Sequence, residues 1–225
     1  MSCEAYSIFD CKQCGPKYKI EHLMEILGSN RVIPVLVIED ASWAGDLGKC
    51  LLDSGISIVE VTLRTDASWQ AIETMKAING LTVGMGSVSK ESDLDRGKDL
   101  EVEFAVSAGI RSDLVSKARA LGMPYLPGVA TPSEVLAGIG HSLEVLKWFP
   151  AETLGGIQAL KAISAPFPRT RFIPTGGINQ DNAVQYLQEK SVLAVGGSWM
   201  FPKSAMAEKK VSEIARLAAL AAKLN

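Results

Sequence analysis

The chain of 225 residues lacks long runs of one charge and long apolar stretches. Its formal net charge is only −2, and no basic run is long enough to follow a nucleic-acid backbone, so nucleic acid is not expected as a partner. Apolar runs such as Val32–Ile38 are far shorter than the roughly 20 residues that cross a bilayer. The first residues, which include Glu4 and Asp10, lack the basic start and apolar stretch of a signal peptide. We therefore expect a cytoplasmic protein without a membrane partner.

Metal-binding side chains are also scarce. The only histidines are His22 and His141, and no cluster of metal ligands stands at the predicted strand ends, so a metal-ion mechanism is not expected. Three of the four cysteines, Cys3, Cys11 and Cys14, are crowded near the N-terminus. The last two have the spacing of a redox motif or half a zinc site, but they precede every strand signal and lack a second ligand pair. We interpret this segment as a mobile, reducible tail.

Short apolar runs alternate with amphipathic segments through the rest of the chain. The apolar runs predict eight strands, at Val32–Ile38, Ser57–Leu63, Leu81–Val83, Glu103–Val106, Pro124–Leu126, Leu143–Lys147, Arg171–Ile173 and Val192–Val195. Helices are predicted at Ser42–Ser54, Ala67–Ile78, Lys90–Gly97, Asp113–Leu121, Pro132–Ile139, Gly156–Ile163, Asp181–Glu189 and Glu208–Leu224. We expect residues 19–225 to form one domain with a C-terminal helix, preceded by an N-terminal extension at residues 1–18.

The order of these elements fits two architectures, an eightfold barrel and an open doubly wound sheet. Many strands are apolar throughout, as expected of parallel strands buried on both faces. A nucleotide-binding sheet would carry G-x-G-x-x-G after its first strand, where Glu39-Asp40-Ala41 stands instead. Glycine pairs come late, at Gly176-Gly177 and Gly196-Gly197, where barrels build phosphate sites. The sequence therefore predicts an α/β protein with a (β/α)8 TIM barrel.

Lys147 ends the sixth predicted strand, inside an apolar segment that continues with Trp148 and Phe149. A buried lysine is costly unless its charge is paired or used. A lysine amine attacks a carbonyl only in its neutral form, which burial and neighbouring cations favour. Lys147 is thus either a Schiff-base nucleophile or a structural lysine that pairs with Glu60 or snorkels to the rim, and its position alone leaves these interpretations open.

Glu60 and Arg64 lie at the end of the second predicted strand. Because Val59 and Val61 flank Glu60, its side chain points away from both and into the predicted barrel. A carboxylate beside an amine nucleophile can shuttle protons, and an arginine can hold a substrate carboxylate with two parallel hydrogen bonds. The alternatives are a structural ion pair for Glu60 and a rim salt bridge for Arg64.

Thr175-Gly176-Gly177 and Gly197-Ser198 follow the last two predicted strands. Glycines let an anion approach the backbone closely, and free amides then face it. Either segment alone is more often an ordinary turn. Together, after consecutive late strands, they predict a phosphate site.

These segments closely resemble the 2-keto-3-deoxy-6-phosphogluconate (KDPG) aldolases, class I enzymes that also act on 4-hydroxy-2-oxoglutarate. The resemblance runs from about Val32 to Ser204 and rests on VEVTLRT at 59–65, KWFPAE at 147–152, PTGGI at 174–178 and GGSW at 196–199. It implies a cofactor-independent, homotrimeric lyase of the Entner–Doudoroff pathway. Such an enzyme cleaves the phosphorylated sugar acid to pyruvate and glyceraldehyde 3-phosphate.

The resemblance also implies a role for each site residue. Lys147 would form the Schiff base, and Glu60 would be the general acid and base. The implied substrate-binding residues are Arg64 and Ser87 for the pyruvate carboxylate, Phe149 beside the imine, and Thr175. The implied phosphate-binding residues are Gly176, Gly177, Gly197 and Ser198.

Two positions depart from the family pattern. Ser87 stands where the family usually has threonine, which keeps the hydroxyl and is expected to loosen packing. Ala108 stands where proline is usual, which is expected to relax the rim of the fourth strand. The segment Leu63-Arg64-Thr65 differs from the corresponding loop of the galactonate-epimer aldolases, which favours the gluconate substrate.

Two rival functions remain. A phosphate-binding barrel isomerase or synthase would keep the late glycines but need no reactive lysine. A non-catalytic sugar-phosphate sensor would have no use for Lys147, Glu60 and Arg64 together.

Overall fold

A computed structural model describes residues 17–224, apart from the side chains at positions 17–20, 22 and 26. Most of the predicted N-terminal extension, with Cys3, Cys11 and Cys14, lies outside the described residues. The described chain alternates short strands and helices, as the apolar pattern predicts.

Nine short strands follow one another along the described chain. They are β1 (Val32–Leu36), β2 (Ile58–Thr62), β3 (Thr82–Gly86), β4 (Phe104–Val106), β5 (Tyr125–Leu126), β6 (Gly128–Val129), β7 (Val145–Trp148), β8 (Arg171–Pro174) and β9 (Val195–Gly197). Each predicted segment overlaps one of them, and β6 lies outside the predicted segments. The last strand starts later than predicted because Val192 makes only an isolated bridge to Phe172.

Ten α-helices lie between and around the strands in the described chain. They are α1 (Lys17–Ser29), α2 (Ala44–Asp53), α3 (Ser68–Lys76), α4 (Glu91–Asp99), α5 (Ser112–Ala120), α6 (Pro132–Gly140), α7 (Gly156–Ser164), α8 (Gln180–Leu187), α9 (Lys203–Ala207) and α10 (Val211–Ala222). No described helix is both long enough and apolar enough to cross a membrane.

All strand pairs are parallel, and the strands form a curled sheet in two parts. One part has the order β5-β4-β3-β2-β1-β9, and the other has the order β6-β7-β8. Pro127 separates β5 from β6, since proline has no backbone N–H for a sheet ladder. Two isolated parallel bridges, Phe172 to Val192 and Thr175 to Gly196, link the β8 side to the β9 side. The α/β class is therefore as predicted.

Burial of both strand faces explains the absence of alternation in the sequence. Every residue of β1, β2 and β7 is buried, because one face points inside the curled sheet and the other packs under helices. Gly55 and Gly122, at φ +87° and +61°, follow the ends of α2 and α5 as expected of C-terminal glycines. Thr131 and Glu134 form the capping box that starts α6.

Two helical features differ from the sequence-based expectation. Helix α1 was not predicted, yet it buries Leu23 and Leu27 in the core and lies beside Pro124 and Leu143, which precede β5 and β7. It therefore covers the N-terminal end of the sheet. The predicted helix Glu208–Leu224 is wrong at its start, because Lys209 has φ +50° and separates α9 from α10.

We predict that Gly84→Ala lowers the free energy of unfolding by about 1–3 kcal/mol, as overpacked cores do. A Cβ on Gly84 would lie 2.2 Å from the ring of Phe104, which is fully buried and cannot move aside. Urea denaturation followed by circular dichroism measures the loss. Gly140→Ala is the matched control, because a Cβ there has no neighbour within 4 Å. Equal stability of the two variants would contradict the packing argument.

Candidate active site

Lys147 on β7 and Glu60 on β2 meet inside the curled sheet, near the C-terminal ends of their strands. The lysine Nζ donates a hydrogen bond to Glu60 Oε1 at 3.3 Å, although the residues are 87 positions apart. They are only 6% and 4% exposed, respectively. The predicted inward orientation of Glu60 is thus found, with Val59 and Val61 fully buried on either side of it. The contact fits both interpretations of Lys147, as a nucleophile and as a structural partner.

Glycines make room for this pair. A Cβ on Gly86, at the end of β3, would lie 2.2 Å from Glu60 Oε1. Gly128 is the register partner of Lys147 in the β6–β7 pair, and a Cβ there would lie 2.1 Å from the Ala108 carbonyl oxygen. A larger side chain at Gly86 would displace the Glu60 carboxylate, and one at Gly128 would displace the backbone at Ala108.

Arg64 lies just beyond β2 and is exposed. Its Nε donates to Ser87 Oγ at 3.0 Å, so the structure brings together the two residues assigned to a carboxylate. No carboxylate among the described side chains pairs with Arg64. The rim salt bridge is therefore not found in this part of the chain, and the outer guanidinium nitrogens remain available to an anion.

Ser87 has φ +61°, a left-handed conformation that is costly for β-branched residues. The backbone thus gives a physical reason for serine at the position where the family usually has threonine. The expected loosening of packing is replaced by a conformational explanation.

Phe149 and Thr175 border the same space. The Phe149 ring centroid lies 5.4 Å from Lys147 Nζ, which places an aromatic surface beside the amine. Thr175 is buried, and its hydroxyl donates to the Ile173 carbonyl at 3.4 Å. Thr175 also forms the parallel bridge to Gly196, which brings the two glycine segments side by side as predicted.

The glycine segments have the backbone shape of an anion site. Gly176 and Gly177 have φ +98° and +81°, values that favour glycine. Neither the Gly177 amide nor the Ser198 amide donates a hydrogen bond within the described chain. A Cβ on Gly197 would lie 1.9 Å from the Trp199 ring, so the second segment also requires glycine. Free amides on adjacent glycine-rich turns suit a phosphate.

A cleft of about 650 Å³ opens beside Ser198, within the size range of small-molecule sites. Val35, Val37, Trp43 and Phe201 supply apolar walls, and Lys203 adds a cation. The cleft was not predicted, because it is formed by the loop after β1 and the segment after β9, which are far apart in sequence.

The rim after β4 is held by hydrogen bonds that sequence reasoning did not anticipate. Ser107 Oγ donates to the Gly109 carbonyl at 2.7 Å and lies 2.6 Å from the Tyr125 hydroxyl. Burial raises the pKa of Tyr125, so the phenol stays protonated and can donate to Ser107. These bonds constrain the rim at Ala108, where the missing proline was expected to relax it.

His141 contacts other parts of the chain. His141 caps the end of α6, and its Nε2 lies 3.0 Å from Ser112 Oγ. The side chain of His22 is not described. Among the described residues, no group of three His, Cys, Asp or Glu side chains could hold a metal ion.

Comparison with known proteins identifies the family of this chain. The family model described as KDPG and KHG aldolase matches residues 23–217. The chain belongs to the KDPG and KHG aldolase family. It is therefore related to lyases of the aldolase type, and the resemblance drawn from the four motifs is confirmed.

Individual members of this aldolase family agree with the whole-chain match. The 2-dehydro-3-deoxy-phosphogluconate aldolase of Zymomonas mobilis is 41% identical over 185 residues, which cover 82% of this chain and 89% of that protein. The crystal structure of the Zymomonas mobilis KDPG aldolase with 3-phosphoglycerate superposes with a TM-score of 0.85 at 40% identity, covering 89% and 95% of the two chains.

Another relative has been captured with a covalent ligand. The KDPG aldolase of Legionella pneumophila, crystallised with pyruvate trapped at low pH as a covalent carbinolamine intermediate, has a TM-score of 0.84 and 36% identity. The match covers 87% of this chain and 96% of that one. The family match over residues 23–217 includes the strands that carry Lys147 and Glu60.

We predict that Lys147→Met alone lowers the free energy of unfolding by about 3 kcal/mol or more, because it leaves the buried Glu60 carboxylate without a partner. Thermal and urea unfolding measure the change. The double variant Lys147→Met/Glu60→Leu is the control and should recover the stability, since apolar side chains replace both charges. A single variant as stable as the double one would show that the pair does not govern stability.

Proposed function

We propose that this protein is a class I aldolase that cleaves a phosphorylated 2-keto-3-deoxy sugar acid through a Schiff base on Lys147. The observation that carries the proposal is the buried lysine amine, 3.3 Å from a buried carboxylate at the C-terminal ends of the strands. Barrel enzymes place their chemistry at these ends. Family membership favours this function over the isomerase and the sensor.

In the proposed reaction, Glu60 first takes a proton from the Lys147 ammonium, and the neutral amine then attacks the keto carbon and forms a carbinolamine. Glu60 delivers the proton with which the hydroxyl leaves as water, which gives the iminium. Glu60 then takes the proton of the substrate hydroxyl next to the bond that breaks. The bonding electrons move into the iminium, which becomes an enamine, and the aldehyde departs. Protonation of the enamine and hydrolysis of the imine release pyruvate and regenerate the free lysine.

The surrounding residues bind the two ends of the substrate. Arg64 and the Ser87 hydroxyl hold the carboxylate, because a guanidinium matches its two oxygens. Phe149 and Thr175 line the pocket around the imine. The phosphate binds at the late glycine segments, through Gly176, Gly177, Gly197 and Ser198.

The substrate we assign is 2-keto-3-deoxy-6-phosphogluconate, split into pyruvate and glyceraldehyde 3-phosphate in the Entner–Doudoroff pathway. Cleavage of 4-hydroxy-2-oxoglutarate to pyruvate and glyoxylate is a further activity that the family name suggests. We infer a cytoplasmic homotrimer that needs no cofactor, on the strength of the family resemblance. Residues 1–18 are proposed to be an extension outside this catalytic domain.

We further infer that the curled sheet closes into the eightfold barrel that the sequence predicts. Two observations support closure. β5 and β6 are separated by Pro127 alone, so they act as one interrupted strand between β4 and β7. The bridge from Thr175 to Gly196 joins the β8 side to the β9 side.

We predict that pyruvate and sodium borohydride leave a reduced pyruvyl adduct on Lys147, because reduction traps the imine irreversibly. Peptide mass spectrometry locates the modified residue. Lys147→Arg is the control and should give no adduct at any position. Folded protein that carries no adduct after this treatment would refute the Schiff-base mechanism and favour the isomerase or the sensor.

A second prediction concerns substrate choice. The motif Leu63-Arg64-Thr65 favours the gluconate configuration, so kcat/KM for the gluconate-derived substrate should exceed that for its galactonate epimer by about tenfold or more, equivalent to about 1.4 kcal/mol. Steady-state assays that couple pyruvate release to lactate dehydrogenase compare the two. Comparable kcat/KM values would remove this part of the proposal while leaving the aldolase mechanism intact.

A further inference from the structure

Glu152 lies directly under the proposed phosphate segment. Its backbone N–H donates to the Gly176 carbonyl at 3.0 Å. Its side-chain stem also packs against Gly177, so closely that a Cβ on that glycine would lie 2.5 Å from the Glu152 Cβ. Glu152 therefore contacts both glycines that shape the segment.

The side chain of Glu152 is anchored from α8. The Tyr186 hydroxyl donates to Glu152 Oε1, and Tyr186 is only 1% exposed. Burial, followed by the hydrogen bond to Glu152, raises the pKa of Tyr186 well above its ordinary value. The phenol consequently keeps its proton and remains a donor throughout the neutral and moderately alkaline range.

The same helix holds the other end of the segment. Asn182 lies one turn before Tyr186, and its Nδ2 donates to the Gly177 carbonyl at 3.1 Å. The carbonyls of Gly176 and Gly177 are thus both engaged on the side of the protein. Helix α8 reaches one of them directly and the other through Glu152.

The planarity of the peptide bond links these contacts to the anion site. The carbonyl of one residue and the N–H of the next belong to one trans peptide and point in opposite directions. Holding the Gly176 carbonyl toward Glu152 therefore turns the Gly177 N–H to the other side. The bond from Asn182 to the Gly177 carbonyl turns the Ile178 N–H in the same way. Within the described chain neither N–H donates a hydrogen bond, so two adjacent donors are left for a ligand.

We propose that Glu152 and Tyr186 are positioning residues that orient the Gly177 amide toward the terminal phosphate. They thereby set the preference for phosphorylated over unphosphorylated substrates. This inference rests on the proposed aldolase function. The hydrogen bond to Tyr186 fixes the Glu152 side chain, and the Glu152 backbone and stem then fix the glycine segment.

The test compares kcat and KM for 2-keto-3-deoxy-6-phosphogluconate with those for unphosphorylated 4-hydroxy-2-oxoglutarate. Tyr186→Phe removes the hydroxyl and should raise KM for the phosphorylated substrate about tenfold, while kcat changes by about twofold or less. KM for the unphosphorylated substrate should stay within about twofold of the original value. Ordinary loss of folded protein would lower both activities together and leave both KM values unchanged.

Matched variants separate positioning from stability. Tyr125→Phe removes another buried tyrosine hydrogen bond, the one to Ser107, and should leave the ratio of the two KM values unchanged. Glu152→Ala, at an exposed residue, should reproduce the selective loss if Tyr186→Phe fails to fold. Glu152→Gln keeps an oxygen acceptor for Tyr186 and should restore the ratio. Parallel KM changes for both substrates, or no change in Tyr186→Phe and Glu152→Ala, would overturn the proposal.

An unmodified protein that cleaves neither substrate would refute the aldolase function itself. In that case, calorimetric titration with inorganic phosphate tests the positioning directly. About tenfold weaker binding to Tyr186→Phe than to Tyr125→Phe supports the positioning, and equal binding refutes it.

Discussion

Two opposite charges buried side by side constrain the rest of this molecule. Lys147 and Glu60 come from strands on opposite sides of the curled sheet, and each depends on the other for a partner in an apolar interior. Their contact requires fixed relative positions of β2 and β7, a glycine at position 86, and apolar side chains on the outer faces of both strands. A change in any of these features would therefore disturb the ion pair.

The glycine segments are shaped by backbone geometry, whereas the ion pair is formed by side chains. Around the ion pair, chemistry is placed by side chains on rigid strands. Beyond β8, the orientation of the backbone peptide groups is set by hydrogen bonds from Glu152 and from Asn182 on α8. The two arrangements differ in what they tolerate. The first requires particular functional groups, and the second requires only that the supporting hydrogen bonds and the left-handed glycines persist.

The sequence predicted what depends on local pattern. Apolar runs indicated where the strands lie, and the motifs predicted Lys147, Glu60 and the late glycines at or near strand ends, which is where the structure has them. It did not predict α1, because Leu23 and Leu27 become core residues only when the helix packs at the N-terminal end of the sheet. The sequence also did not predict the left-handed backbone of Ser87 and Lys209 or the hydrogen bond from Tyr186 to Glu152. Each of these is decided by tertiary packing and not by neighbouring residues in the chain.

Helix α1 packs against Pro124 and Leu143, at the end of the sheet where the strands begin, whereas the ion pair and glycine segments lie where the strands finish. Attachment to a surface or a carrier at the end of the sheet beside α1 would therefore leave the end that carries the ion pair and the glycine segments facing the medium. A sensor electrode or flow-reactor bead joined at that end would leave the proposed active site unobstructed. The same bead joined through the loops after β8 or β9 would block it.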